Sequence, residues 1–255
     1  VYMNKIIELW FPNYSNNPGY VSKDIRKKIN ELTENFNIIV NNGYYQNGEK
    51  YIVELEVEAQ DYWGYVKKEI SKNFGKYIKL EEIEIDETYL GRVVTPNKLG
   101  FGIFIDIGLR GIKGGRDALL PLYNIRAFVD DENISNREFV KRYGLVDGLP
   151  IQVRVNKLEK EGSLKIEVDL DQEYIDMIDD WKKDGRERLI ITKTFKKEII
   201  NSLKNNNLIK YIDEILSLDP LTSVIICDKK TRASGLLSKI GNDLKNKPIG
   251  IFNPK

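Results

Sequence analysis

Histidine is absent from the 255 residues, and cysteine occurs once, at Cys227. The first absence removes the commonest general base and the commonest zinc ligand. Ser-His-Asp and Cys-His catalysis are therefore excluded within this chain, and a zinc site has none of its usual ligand sets. A single cysteine excludes an intrachain disulfide and agrees with a reducing compartment. No apolar run approaches the ~18 residues needed to span a bilayer, and no signal-peptide pattern opens the sequence. The phosphate-loop pattern of Gly, four residues, then Gly-Lys-Ser/Thr is missing as well. These gaps lead to the expectation of a cytoplasmic binding protein, not an enzyme, with no cofactor, no metal and no membrane partner.

Net charge is also scarce, at +1 overall. Its distribution is uneven. Residues 1–87 carry 11 basic and 15 acidic groups, whereas 88–126 carry 6 basic against 2 acidic. Positive charge is thus expected beside the central segment, as for a modest phosphate-tracking surface.

That central segment, 88–170, is where the pattern is clearest. Leu90 to Val94 is a short β-prone run ending at the turn Thr95-Pro96-Asn97-Lys98. In Leu99 to Gly108, Phe101, Ile103, Ile105 and Ile107 alternate with Gly102, Phe104 and Asp106, which is the period of a half-buried strand. Asp117 to Leu122 is a third strand-like segment. After an irregular insert, Leu149 to Asn156 and Ser163 to Leu170 make a final pair. Five strands in about 80 residues fit the small Greek-key barrel of the OB type. Phe104 lies on the parity opposite the isoleucines and is expected to face outward. Phe101 has core parity, so it either fills the barrel or reaches the surface through a bulge at Gly102.

The motifs of this segment resemble a known family, the OB-fold RNA-binding domain of the ribosomal S-one type. Gly91-Arg-Val-Val is similar to its opening Gly-x-Val, and Gly100-Phe-Gly-Ile-Phe-Ile-Asp-Ile to its Gly-aromatic-Gly strand. Asp117-Ala-Leu-Leu-Pro-Leu and the run from Asp147 to Val155 are similar to its later segments. Two positions depart from the pattern. Pro121 stands where the family has histidine, and Ser163 where an arginine follows the late hairpin. The resemblance implies stacking of RNA bases on Phe101 and Phe104. With it, Arg110, Lys113, Arg116 and Arg154 are candidate RNA contacts.

The flanking segments read as separate α/β modules. In residues 1–87, Lys5 to Phe11 is strand-like, and Val21, Ile25, Ile29 and Leu32 have helical spacing with Ser22 as candidate N-cap. Asn37 to Val40 is a strand and Asn41 to Glu49 a long hairpin turn. Tyr51, Val53, Leu55 and Val57 then alternate with Ile52, Glu54, Glu56 and Glu58. Trp63, Val66, Ile70 and Phe74 mark a second helix, and Tyr77 to Leu80 with Ile83 and Ile85 a last strand. The order βαββαβ is ferredoxin-like. Its acidic face suits contact with protein better than RNA.

In residues 171–255, a helix from Asp171 to Trp181 leads into a strand at Leu189 to Thr192. Helices are expected around Ile199 and around Leu208, Ile212 and Ile215, then a strand at Ser223 to Cys227, a helix at Ala233 to Ile240 and a strand at Ile249 to Phe252. Lys229, Lys230 and Arg232 precede that last helix and are candidate phosphate contacts at its N-terminus.

The order of modules, with the barrel motif and the run Gly-Leu-Leu-Ser-Lys-Ile-Gly at 235–241, also resembles an archaeal protein family without an assigned activity. The first two modules further resemble the stalk subunit of archaeal RNA polymerase. The sequence thus predicts an α+β, multidomain protein: a ferredoxin-like module (1–87), a five-stranded OB barrel (88–170) and a small C-terminal α/β domain (171–255). The expected activity is binding of single-stranded RNA by an accessory factor of transcription or translation, which meets a larger assembly through residues 1–87. The alternative is a protein–protein adaptor whose barrel no longer binds RNA.

Overall fold

The computed structural model of the protein describes residues 2–14, 17–58, 62–111, 117–161 and 163–254. The fold is mixed α+β, with a closed five-stranded barrel and two open sheets. It packs as two compact units, Val1–Ile83 with Ile107–Ile112, and Glu84–Asp106 with Lys113–Lys255.

The first unit contains β1 (Met3–Trp10), α1 (Pro18–Thr33), β2 (Ile38–Gln46), β3 (Lys50–Val57) and α2 (Trp63–Phe74). The strands form an antiparallel sheet in the order β1-β3-β2. Alternation sends Tyr51, Val53, Leu55 and Val57 inward with Ile7 and Leu9, and Val21, Ile25, Ile29, Val66, Ile70 and Phe74 are buried along the two helices. The helix start differs from the sequence expectation. Asn17 is the N-cap and Pro18 follows at the first turn, where a missing N–H costs nothing. Ser22 instead lies inside the helix, its hydroxyl donating to the Gly43 carbonyl at 2.8 Å and 2.7 Å from the Tyr51 hydroxyl.

Strand β2 also runs further than its glycine and asparagines suggest. A Cβ at Gly43 would lie 2.2 Å from the Tyr51 hydroxyl, so this glycine marks a close side-chain crossing and not a turn. The turn itself is the three-residue loop Asn47-Gly48-Glu49 between the paired Gln46 and Lys50, with positive φ at Asn47 and Gly48. No fourth strand forms at 77–80. The segment makes isolated bridges, Leu9 with Lys76 and Ile78 with Leu109, followed by a 3-10 turn at Leu80–Glu82.

In the second unit the barrel strands are β4 (Thr88–Val94), β5 (Gly102–Asp106), β6 (Ala118–Pro121), β7 (Pro150–Glu159) and β8 (Lys165–Leu170). They close in the order β4-β5-β6-β8-β7, with β6 and β8 parallel and the other pairings antiparallel. Ile103, Ile105, Val93, Leu120, Val153, Val155 and Val168 are buried on the strands. The insert between β6 and β7 is helical: α3 (Leu122–Val129) and α4 (Asn136–Tyr143). Its sequence signal is a capping box, in which Ser135 accepts from the Glu138 N–H while Glu138 reaches back to the Ser135 N–H.

After α5 (Gln172–Asp184) come β9 (Arg188–Ile191), α6 (Lys196–Asn205), β10 (Ile212–Asp219), β11 (Thr222–Cys227), α7 (Ala233–Ile240) and β12 (Ile249–Phe252). They build an antiparallel sheet in the order β10-β11-β9-β12, with a core of Leu189, Ile191, Ile199, Leu203, Ile225, Leu236 and Ile240. The helix expected around Ile212 and Ile215 is strand β10, paired with β11 across the turn at Pro220. Two isoleucines three apart do not separate the two periods, and Pro220 with Leu221 supplies the hairpin return.

Side-chain and backbone contacts fasten this sheet to the barrel. Arg92 on β4 meets Asp219 at the end of β10 at 2.8 Å, with side chains only 3% and 1% exposed. Arg92 also donates to the Gly148 carbonyl at 3.2 Å. Elsewhere the chain after α4 presses on β12. A Cβ at Gly250 would lie 2.2 Å from the Gly144 carbonyl oxygen, and the Asn253 N–H donates to the Arg142 carbonyl at 3.0 Å. Asp219→Ala removes the carboxylate facing a buried guanidinium and should lower the unfolding free energy by about 3–5 kcal/mol in a urea titration. The double variant Arg92→Met/Asp219→Leu should regain most of it. An equal loss in both would show that the sheet and barrel are held by something else.

Candidate nucleic-acid interface

The barrel wall carries one continuous outward row. Register pairs Val94 with Phe104, Phe104 with Leu119, Leu119 with Glu167 and Glu167 with Lys157 across β4, β5, β6, β8 and β7. Phe104 is half-buried on this row while Ile103 and Ile105 on either side are fully buried. Strand alternation therefore places Phe104 outside, as expected.

Phe101 reaches the surface by a different route from the bulge considered above. The β5–β6 register is regular from Gly102 to Ile105. Phe101 lies one residue before the strand, so strand parity does not bind it, and it is 57% exposed. Its carbonyl accepts from the Leu122 N–H at 2.8 Å, which fixes it beside the start of α3. Gly102 is required for a different reason: a Cβ there would stand 2.5 Å from the Leu120 carbonyl oxygen.

A third aromatic joins these two. Tyr123, in the first turn of α3, is 60% exposed and donates its phenol proton to the Glu167 carboxylate. That hydrogen bond holds the phenol above its ordinary pKa. The sequence pattern gave Tyr123 no special place, because it falls in the insert; its signal is an aromatic on the solvent phase of a short helix. Further round the wall, a register shift between Val155 and Lys157 turns both Asn156 and Lys157 outward. Lys157 pairs with Glu159 at 3.0 Å and Glu167 at 3.7 Å, and Lys165 with Glu159 at 3.6 Å.

The candidate cations are distributed differently from the sequence expectation. Arg154 is exposed on β7, in register with Asp169. Arg110 is withdrawn. It is 6% exposed, bonded to Glu49 at 2.9 Å and the Leu109 carbonyl at 2.8 Å, and stacked 5.1 Å above Trp10. A guanidinium so engaged is a structural cation of the first unit, not a phosphate contact. Lys113 and Arg116 lie outside the described residues. Around the aromatic row, Arg154, Lys157 and Lys165 are balanced by Glu159, Glu167 and Asp169.

The phosphate site expected before α7 is already filled. Glu187 accepts from the Ala233 N–H at 2.8 Å and from Arg232 at 2.6 Å, so a carboxylate of the chain already takes the place of an anion at the helix N-terminus. Lys229 and Lys230 are exposed in the preceding turn. The acids of α5 are likewise used locally. Asp171 caps the helix through the Glu173 N–H at 3.1 Å, and Asp179 lies 3.4 Å from Lys182 and Asp180 3.4 Å from Lys183. Among the described residues no group of three acidic or thiol side chains could hold a metal ion, and no helix is long and apolar enough to cross a membrane.

Residues 83–182 match the DUF2110 central domain. The match begins just before β4 and ends inside α5, so it takes in the whole barrel and its helical insert. No curated protein matches the chain. The DUF2110 match contains Phe101, Phe104, Tyr123 and Arg154 and excludes β9 to β12.

Cys227 is buried in the sheet and burial pushes its thiol up to about 11. At about pH 8.5 an unfolded thiol is substantially ionised, whereas the folded one stays protonated and shielded. Thiol titration with a chromogenic disulfide at that pH should give no reaction with the native chain and one equivalent in guanidinium. Rapid native reaction would mean that the sheet core opens.

Proposed function

We propose that the barrel is an OB fold of the S-one type and that the protein binds single-stranded RNA through the outer face of β5 and β6. The supporting arrangement is a closed five-strand barrel whose first, second and third strands are joined in sequence and whose third and fifth are parallel. In such folds the second and third strands, with the loop between the first two, take up oligonucleotides. The observation that carries the reading is the set of three aromatics on that part of the wall: Phe101, Phe104 and Tyr123. Aromatic rings presented at a surface are stacking platforms, worth about 1–3 kcal/mol per base; here Phe101 and Tyr123 are exposed and Phe104 is half-buried.

The first unit supports the ferredoxin-like reading through its β1-β3-β2 order and two helices. Its fourth strand would be reduced to the bridge at Lys76. On this reading the protein is an accessory factor of transcription or translation and residues 1–87 meet the larger assembly. The exposed face of that sheet carries Ile6, Ile39 and Tyr44 among Glu8, Glu54 and Glu56, which suits a protein surface better than a phosphate chain.

The adaptor reading draws support from the balanced charge around the aromatic row. The two are separated by fluorescence anisotropy with a labelled oligouridylate. Phe104→Ala and Phe101→Ala should each weaken binding by about 1–3 kcal/mol; Phe101→Ala should do so with little loss of stability because its ring is exposed, and Phe104→Ala with a larger loss because its ring is half-buried. Arg110→Ala should lower stability and leave affinity unchanged. Unaltered affinity in both phenylalanine variants, with native circular dichroism, would favour the adaptor.

A further inference from the structure

An open groove of about 960 Å³ runs beside α4, bounded by α7 and β12. Its floor is apolar, from Val146, Leu237, Ile249 and Ile251, all half-buried. Its α4 wall carries Arg137, Lys141 and Arg142, all exposed, with Arg137 and Lys141 one helical turn apart.

The charges in the groove are not equivalent. Every carboxylate lining it is already engaged. Asp131 accepts from the Asn133 N–H at 2.9 Å, Glu138 from the Ser135 N–H at 2.9 Å and hydroxyl at 2.7 Å, and Glu187 caps α7 and holds Arg232. The bases are not. Arg142 lies 5.7 Å from the Tyr143 ring, and among the described residues neither Arg137 nor Lys141 has an acidic partner. Among the described residues the groove thus offers three cations without acidic partners over an apolar floor. A flexible chain of phosphates whose bases present flat faces for packing matches both features.

The groove is also joined to the aromatic face. The β4–β5 loop lines it at Asn97 and ends at exposed Phe101. That loop is held by α4 itself: the buried Asn136 donates to the Pro96 carbonyl at 3.0 Å and the Leu99 carbonyl at 2.8 Å. One helix therefore positions the loop and supplies the cations.

We infer that the groove is a second binding site for single-stranded nucleic acid, which continues the path from Phe101 past Asn97 and places phosphates on Arg137, Lys141 and Arg142. This rests on the RNA-binding reading of the barrel and extends it to the C-terminal sheet. The stacking face holds a short stretch of bases; the groove adds length and most of the salt dependence.

The test uses the full chain with labelled oligouridylates of about 5 and about 12 nucleotides, lengths within the span of such sites. The longer probe should bind at least about tenfold tighter. The triple variant Arg137→Ala/Lys141→Ala/Arg142→Ala should erase most of that difference and flatten the salt dependence of the longer probe by about 2 log units, at ~0.7 for each lost contact. Binding of the shorter probe should stay within about twofold. Photocrosslinking of a 4-thiouridine version of the longer probe should label the β4–β5 loop and α4. If the triple variant binds both lengths like the parent, the groove site is wrong while the barrel reading stands. If neither length binds to the folded parent, the barrel reading fails and takes the groove with it. Saturable binding of a polyglutamate peptide at the groove, undisplaced by the longer probe, would assign it to an acidic protein segment instead.

Discussion

A buried charge is expensive unless it meets its opposite, and the second unit is arranged around one such meeting. Arg92 sits on the first barrel strand, where its register partner across β5 is Asp106, yet its guanidinium is given to Asp219 at the far end of the chain. Neither side chain is solvated, so loss of either would leave the other buried without its counter-charge. Formation of the β10–β11 hairpin and closure of the barrel are thereby coupled. The same region gathers Asp147, which accepts from the Thr95 N–H at 2.9 Å and pairs with Lys193, while its carbonyl accepts from Thr192 at 2.6 Å. The barrel and the C-terminal sheet therefore form one compact unit although the sequence between them reads as a boundary.

Backbone proximity does comparable work on the other side. Gly144 ends α4 with φ +65°, and its carbonyl lies where a Cβ of Gly250 would be. Two glycines far apart in sequence thus let the chain after α4 lie against the edge strand β12. An uncovered edge would offer its backbone groups to another chain. Here the covering segment also brings α4 alongside the sheet, and the groove exists because that helix is held there.

What was legible in the sequence was what depends on a short-range period. The alternation of Ile103 and Ile105 with Phe104, and of Tyr51, Val53 and Leu55 with Ile52, Glu54 and Glu56, fixes which side is core without knowledge of the partner strand. The two central helices of the insert were less legible. Each is eight residues long, and Leu122–Val129 buries only Ile125, so no amphipathic stripe stands out. Long-range pairings left no trace at all. Arg110 and Glu49 are 61 residues apart, and Glu187 reaches the start of α7 from 46 residues away. Counting charges in a window assigns such residues to the surface, because it cannot register that their partners lie elsewhere in the chain. Gly43 was misread for a related reason: the crowding that requires a glycine there comes from Tyr51 on the next strand.

The same distinction governs which cations can act on a ligand. With a formal charge of +1 the chain holds nearly as many acids as bases, and a base matters to an anion only if no acid of its own has claimed it. Arg92, Arg110, Arg186 and Arg188 each have an acidic partner within 2.9 Å. They hold the fold and are removed from the surface field. Around the aromatic row Lys157 and Lys165 are partly neutralised by Glu159 and Glu167, so that surface presents rings more than free charge. On α4 the assignment is reversed: Glu138 is spent on the capping box, its carboxyl held below the usual range by Ser135, and the neighbouring bases keep their charge for solvent. An anionic polymer drawn to this protein would therefore find stacking on the barrel and charge on α4. The loop that ends at Phe101 and is anchored by Asn136 is the structural link between them.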